Sequence, residues 1–333
     1  GLNSPEFAVL VAYTKLALKA DLLDSELPDD PWFSGELERY FPAPLRERFP
    51  EEIRTHRLRR EIVATRLANS MVDRGGITFV HRAADETGAS AAEIARAFVV
   101  SREVFDLPSF VRDVESLDNV VDTAVLSGLY LEFRRLLDQS VRWFLANRSW
   151  GGDIRGAIGR FWPSVAELAP QVGRFVRGSA LEEMLARVEA LTDAGVPEPL
   201  AERSATLVEV YSLLDSVLLA EQTEHTAAQV APVRYAAEVH FGVDRFLGRV
   251  RELPREERWD SLARVALRED LHSALNLLTH EVIASARGDL EVWDRAHASG
   301  MARLRDLQRD LGEDGVSHAS LAVAVRTLRG LAS

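Results

Sequence analysis

Glu269-Asp-Leu-His272 is the spacing in this sequence that comes nearest to a metal-binding pattern. A Glu and a His three residues apart leave a helix on the same side, and di-metal bundles use that pair. The chemistry needs a second such pair and two further Glu on facing helices, and Glu269–His272 is the single E-x-x-H of the chain. His280-Glu281 lies two turns further along and does not complete it. A solvated helix face near Arg268 is the plainer reading. Arg57, Arg59 and Arg60 form a basic cluster that could hold a phosphate or a carboxylate of a neighbouring domain. On an ordinary wet surface, Arg57 and Glu61 would instead make an i, i+4 ion pair. Arg74-Gly75-Gly76-Ile-Thr-Phe79 carries two glycines in tandem. They suit a helix C-cap and a tight turn, and they also let another backbone come close. The sharper expectation is an interface turn of Arg74, Gly75, Gly76 and Phe79 against another domain.

Other chemistries are poorly served. Gly75-Gly76 and Gly151-Gly152 lack both the G-x-G-x-x-G spacing and a preceding strand, so neither reads as a phosphate-cradling loop. There is no G-x-S-x-G elbow and no H-E-x-x-H zinc motif. The absence of cysteine rules out disulfides, thiolate metal sites and a Cys nucleophile, and is compatible with a cytoplasmic protein. No catalytic, cofactor-binding or metal-ligating residue is therefore assigned in this chain.

The elements that must position these residues read as helices throughout. Leu2–Leu23 is expected to start at an N-cap Ser4 with Pro5 in the first helical position. Val9, Tyr13, Leu16, Ala20 and Leu23 draw one apolar stripe along it, and Phe7, Leu10, Val11, Leu18 and Leu22 cover much of the rest. A helix apolar nearly all round expects neighbours on more than one side, which suggests that the chain is a piece of something larger. Val11 and Leu18 are its candidate contacts with a partner domain. Pro50 is expected to open one long helix running to the glycine pair. Ser90-Ala-Ala-Glu93, Ser164-Val-Ala-Glu167 and Ser179-Ala-Leu-Glu182 read as capping boxes, each opening a helix. Further helices are expected over about 119–147, 197–220, 226–241, 243–253, 254–287, 289–311 and 317–331. In the longest, Leu267, Leu271, Leu275, Leu278 and Val282 repeat at near-heptad spacing. Trp32, Phe33, Tyr40 and Phe41 are expected to form a local lid over the core, and Trp143, Trp150 and Trp162 to pack between two halves. Trp150-Gly-Gly152 marks the expected boundary between residues 1–150, adjoining another domain, and residues 151–333, a helical bundle. No period-2 run bounded by hairpin turns appears, so the expected fold is all-α, an irregular multi-helix array of packed bundles without significant sheet.

With 333 residues, 47% of them apolar, the chain can bury a sizeable core. Its net charge of −12 disfavours nucleic-acid backbones. The longest apolar run, Phe7–Tyr13, falls well short of the roughly 20 residues of a membrane span. No signal peptide is visible.

A family resemblance is carried by Gly1-Leu-Asn-Ser-Pro-Glu-Phe-Ala-Val-Leu-Val-Ala-Tyr-Thr-Lys15, Lys19-Ala-Asp-Leu-Leu23, Leu27-Pro-Asp-Asp30 and Tyr40-Phe-Pro42. It continues through His56-Arg-Leu-Arg-Arg-Glu-Ile-Val-Ala-Thr65, Ala68-Asn-Ser-Met-Val-Asp-Arg-Gly-Gly-Ile-Thr-Phe79, Ala91-Ala-Glu-Ile-Ala-Arg-Ala97 and Arg258-Trp259. These segments resemble the region that follows the catalytic core in large bacterial NAD-specific glutamate dehydrogenases. The match is dense to about residue 105 and looser beyond. The resemblance implies a long parent chain with regulatory modules, a catalytic domain and then this helical domain. The parent would convert L-glutamate, NAD and water to 2-oxoglutarate, ammonium and NADH; the resemblance implies the upstream catalytic domain of the same chain as this segment's partner, in a homo-oligomeric parent. The family's catalytic lysine, acid and dinucleotide fold lie upstream of Gly1, so none maps onto this sequence. NAD is thus a cofactor of the parent, and this segment alone is expected to be inactive, bracing the catalytic domain or the assembly. The competing readings are an independent helical interaction scaffold and a helical metal or carboxylate enzyme at Glu269 and His272.

Overall fold

Asn3, one residue ahead of the expected cap, starts the first helix. Its Oδ1 accepts from the Glu6 N–H at 3.0 Å, while Glu6 Oε2 accepts from the Asn3 N–H at 2.9 Å. Two of the orphan donors of the first turn are satisfied reciprocally. The computed structural model describes residues 3–254, 257–313 and 317–332; the expected helix start at Leu2 lies outside them. Every regular element among the described residues is a helix, so the fold is all-α. By its internal contacts the chain divides into two compact units, Gly1–Pro163 and Ser164–Ser333.

The first unit contains α1 (Ser4–Leu23), α2 (Ser34–Tyr40), α3 (Ala43–Arg48), α4 (Pro50–Arg54), α5 (Arg59–Gly75), α6 (Phe79–Thr87), α7 (Ala91–Val104), α8 (Leu107–Glu115) and α9 (Thr123–Ala146). The division then falls within α10 (Ile154–Leu168), at Pro163, which has no N–H to give to the helix ladder. The long helix expected from Pro50 is two helices. Thr55 Oγ1 donates to the Glu51 carbonyl at 2.8 Å and the Leu58 N–H donates to His56 Nδ1 at 3.1 Å. Side chains thus satisfy backbone groups that a continuous helix would have paired. Arg57 falls in this break, outside α5, so it and Glu61 do not share the expected helical spacing.

Val63, Ala64, Leu67, Ala68, Met71 and Val72 line the inner face of α5. Phe79 packs edge-on against Phe98 at 6.1 Å, and Phe110 stacks on Phe133 at 6.2 Å. Arginines tie the periphery to this core. Arg96 of α7 reaches Asp30 at 2.6 Å, Arg102 pairs with Glu36 and Glu103, and Arg142 of α9 pairs with Glu86. Trp143, Phe144, Trp150 and Phe161 make an edge-to-face aromatic cluster within this unit, whereas Trp162 is 48% exposed. Of the Pro-rich aromatics only Phe33 is buried; Tyr40 is exposed beneath the Arg66 guanidinium.

The second unit contains α11 (Val172–Phe175), α12 (Gly178–Asp193), α13 (Glu198–Val210), α14 (Leu213–Gln222), α15 (Ala227–His240), α16 (Val243–Glu252), α17 (Arg258–Ala286), α18 (Leu290–Ala296), α19 (Ala298–Glu313) and α20 (His318–Leu331). Leu267, Leu271, Leu275, Leu278 and Val282 of α17 are all buried, as the near-heptad spacing requires, and they form the spine of the core with Phe241, Trp293, Leu304 and Leu321. The box at Ser90 forms, as do boxes at Thr226 and Ser317. The two at Ser164 and Ser179 do not. Ser164 sits inside α10, and α12 starts from Arg177 without a side-chain cap. The stretch expected as one helix from Pro197 to Ala220 breaks at Tyr211-Ser212, and that from Asp289 to Leu311 breaks at His297. Pro254 precedes α17 without joining it, and residues 255–256 lie outside the described residues.

Candidate docking site

α1 is held from one side only by its own unit. Leu18 and Leu22 are buried, and Lys15 reaches Asp73 of α5 at 2.6 Å. From the same α5, Arg60 Nη2 donates to the last carbonyl of α1, Leu23 O, at 2.7 Å and to Ser25 O of the following turn at 2.9 Å. A cation at the negative end of a helix is favourable on electrostatic grounds as well. Arg59 and Arg60 both pair with Asp29. Arg59 and Arg60 of the basic cluster therefore have work inside the unit: they fasten α1 and the following turn to α5.

The opposite side of α1 is open. Val9 is 55% exposed, Tyr13 68% and Leu16 61%, with Leu10, Ala17 and Ala20 exposed beside them. At 100° per residue these six share one side, and Leu18, Leu22 and Val11 lie opposite. Single exposed apolar residues are ordinary on a protein surface. Here Val9, Tyr13 and Leu16 form a continuous exposed row along one helix. The row with the regular spacing of three and four is thus the open one.

The expected contact residues are placed as follows. Leu18, Gly75 and Phe79 are buried within the first unit, and Val11 is half-buried. A Cβ on Gly75 would stand 2.5 Å from the Phe79 ring. Gly76 has φ +90°, and a Cβ there would stand 2.8 Å from the Arg134 guanidinium carbon. What approaches the glycine pair is thus Phe79 and Arg134 of the same unit. Arg74 bonds Glu115 at 3.2 Å and lies over the Tyr130 ring.

Glu269 is exposed on α17, and His272 is turned to Tyr211, ring to ring at 5.6 Å. Burial and the nearby Arg234 lower the His272 pKa to about 4, so it is neutral near pH 7. Among the described residues, no three His, Asp or Glu side chains are grouped so as to hold a metal ion. Among the same residues no helix is long and apolar enough to cross a membrane.

Comparison with known proteins decides the family. The model for the C-terminal part of glutamate dehydrogenase matches residues 1–330. The chain belongs to this family. It is 38% identical to the NAD-specific glutamate dehydrogenase of Mycobacterium tuberculosis, over 99% of this chain and 21% of that protein. The enzymes of the same name from Halomonas elongata and Pseudomonas aeruginosa are each 37% identical, over 100% of this chain and 21% of theirs. This member of the family spans about a fifth of the length of the curated relatives it matches. Those relatives are NAD-specific. Gly75-Gly76 closes a helix and is filled by Phe79 and Arg134, and no strand among the described residues leads into Gly151-Gly152.

Proposed function

We propose that this chain is the non-catalytic C-terminal helical segment of a NAD-specific glutamate dehydrogenase and that it docks on the rest of that enzyme through the open face of α1. The parent reaction is the oxidation of L-glutamate by NAD, with water, to 2-oxoglutarate, ammonium and NADH. The segment braces the catalytic part or the subunit assembly. A homo-oligomeric parent and a cytoplasmic setting belong to the same proposal.

The observation that carries it is the row Val9, Tyr13 and Leu16, exposed on a helix whose other face is anchored by Leu18, Leu22 and Arg60. The larger part of the relatives' chains lies beyond the matched region, which supplies chain able to cover that row. The Arg74–Phe79 turn has an internal packing role, so it enters the proposal only as support for the scaffold beneath α1.

The test is a pair of substitutions, Tyr13→Asp and Leu16→Asp, in the full-length enzyme. Glutamate-dependent NADH formation and sedimentation are measured together. Loss of activity or of assembly is expected, with the unfolding of the segment itself shifted by less than about 0.5 kcal/mol, as for exposed sites. Full activity and unchanged assembly in both variants would refute the docking face. Turnover of glutamate and NAD by the segment alone would refute the non-catalytic role.

A further inference from the structure

α15 carries Arg234 into the interior of the second unit, where the side chain is completely buried. Its Nε donates to Asn276 Oδ1 of α17 at 3.0 Å and its Nη2 to Asp215 Oδ2 of α14 at 2.7 Å. Among the described residues its Nη1 is sealed from solvent without a hydrogen-bond acceptor. One turn along α15, Glu238 Oε2 stands 4.0 Å from that nitrogen, beyond hydrogen-bond range. A buried donor with no acceptor is costly, and a charged one more so.

Two carboxylates therefore face one guanidinium. Asp215 takes the direct bond, and the single positive charge cannot fully offset the second carboxylate in a site of low polarity. Glu238 is that second group. Burial pushes its carboxyl up to about 7, with Glu209 of α13, Asp244 of α16 and Asp215 of α14 acting in the same direction and Arg234 opposing them. From α17, His272 is held neutral by burial and Arg234, and from α11 Phe175 lies against Tyr235. The Glu238 side chain keeps 16% of its surface open, so its proton reaches water without the core unfolding.

We propose that Glu238 and Arg234 form a proton-operated latch in the core of the second unit. With Glu238 protonated, Arg234 is held by Asp215 and Asn276. On deprotonation the Glu238 O–H bond breaks and the proton passes to water at the open edge. The carboxylate then closes on Nη1 and accepts its N–H. The same guanidinium bridges α14 and α17, so its re-seating is felt on both helices.

The test is the titration of the Glu238 carboxyl carbon by NMR in the full chain, carbon-13 labelled in its glutamates, from about pH 3 to about pH 9. A midpoint near about 7 is expected, with amide shifts in α14, α15 and α17 moving at the same midpoint. In Glu238→Gln those amide shifts should vanish. A midpoint near the ordinary glutamate value of about 4.3 overturns the latch. So do α14 and α17 shifts that persist unchanged in the Gln variant. If that variant does not fold, Glu238→Asp identifies the resonance, and wild-type α14 and α17 amide shifts that do not follow the Glu238 midpoint overturn the latch.

Discussion

Gly75→Ala tests whether the tandem glycines serve the packing of their own unit. The new Cβ would stand 2.5, 2.8 and 2.9 Å from Cγ, Cδ1 and Cβ of Phe79. Phe79 is fully buried and abuts Phe98, so its ring cannot retreat without opening the core of the unit. Overpacking of this kind costs about 1–3 kcal/mol. The helix propensity gained at the last position of α5 offsets less than about 1 kcal/mol of it. A net loss of about 1–2 kcal/mol in a unit of this size lowers the melting temperature by about 2–8 °C. Gly128→Ala is the internal control. Gly128 is exposed on α9 with no atom within 4 Å of where its Cβ would stand. There alanine should be neutral or stabilise by up to about 1 kcal/mol. Thermal and urea unfolding of the two variants give the comparison. If Gly75→Ala melts at or above the wild-type temperature, the close approach of Phe79 is not what requires glycine, and an interface role regains its ground.

Other substitutions probe the same structure. Leu22→Ala should cost about 2–5 kcal/mol in urea unfolding because Leu22 is completely buried; a loss as small as that of an exposed site would place α1 loosely on α5. Asp215→Ala should cost about 3–5 kcal/mol by leaving the buried Arg234 short of its direct partner, and a neutral result would mean that Glu238 replaces it without loss. The pH dependence of stability should reveal two groups of opposite sign. Glu238, with its folded pKa raised to about 7, favours folding increasingly as pH falls from about 7 to its unfolded value. His272, with its folded pKa lowered to about 4, takes stability away as pH falls below its ordinary value towards 4. Glu238→Gln should therefore be more stable than wild type at pH 8, by on the order of 3 kcal/mol, with the difference fading towards pH 5. A difference that does not change with pH would show that Glu238 titrates normally in the folded chain.

Local chemistry was legible in the sequence wherever a few neighbouring residues settle the outcome. The box at Ser90 and Glu93 needs only four residues in register, and it forms. The near-heptad leucines of α17 mark a buried face because spacing along a helix dictates direction. The all-α class follows from many such signals pointing one way. The breaks at Thr55–Leu58 and Tyr211-Ser212 were hidden, since the flanking patterns are compatible with continuous helices and the competing bonds are decided by where the chain must turn. Which face of α1 is buried was also not legible. Both faces are apolar, and the choice rests on α5, some forty residues away, offering its own apolar face together with Asp73 and Arg60. Arg234, Asp215 and Asn276 carry no mutual signature, because the three residues are brought together from α15, α14 and α17. Amphipathic periodicity thus determined that helices form and which are mostly buried. Tertiary packing alone decided which apolar row stays open and which charges share a buried site, because both depend on partners distant in the chain.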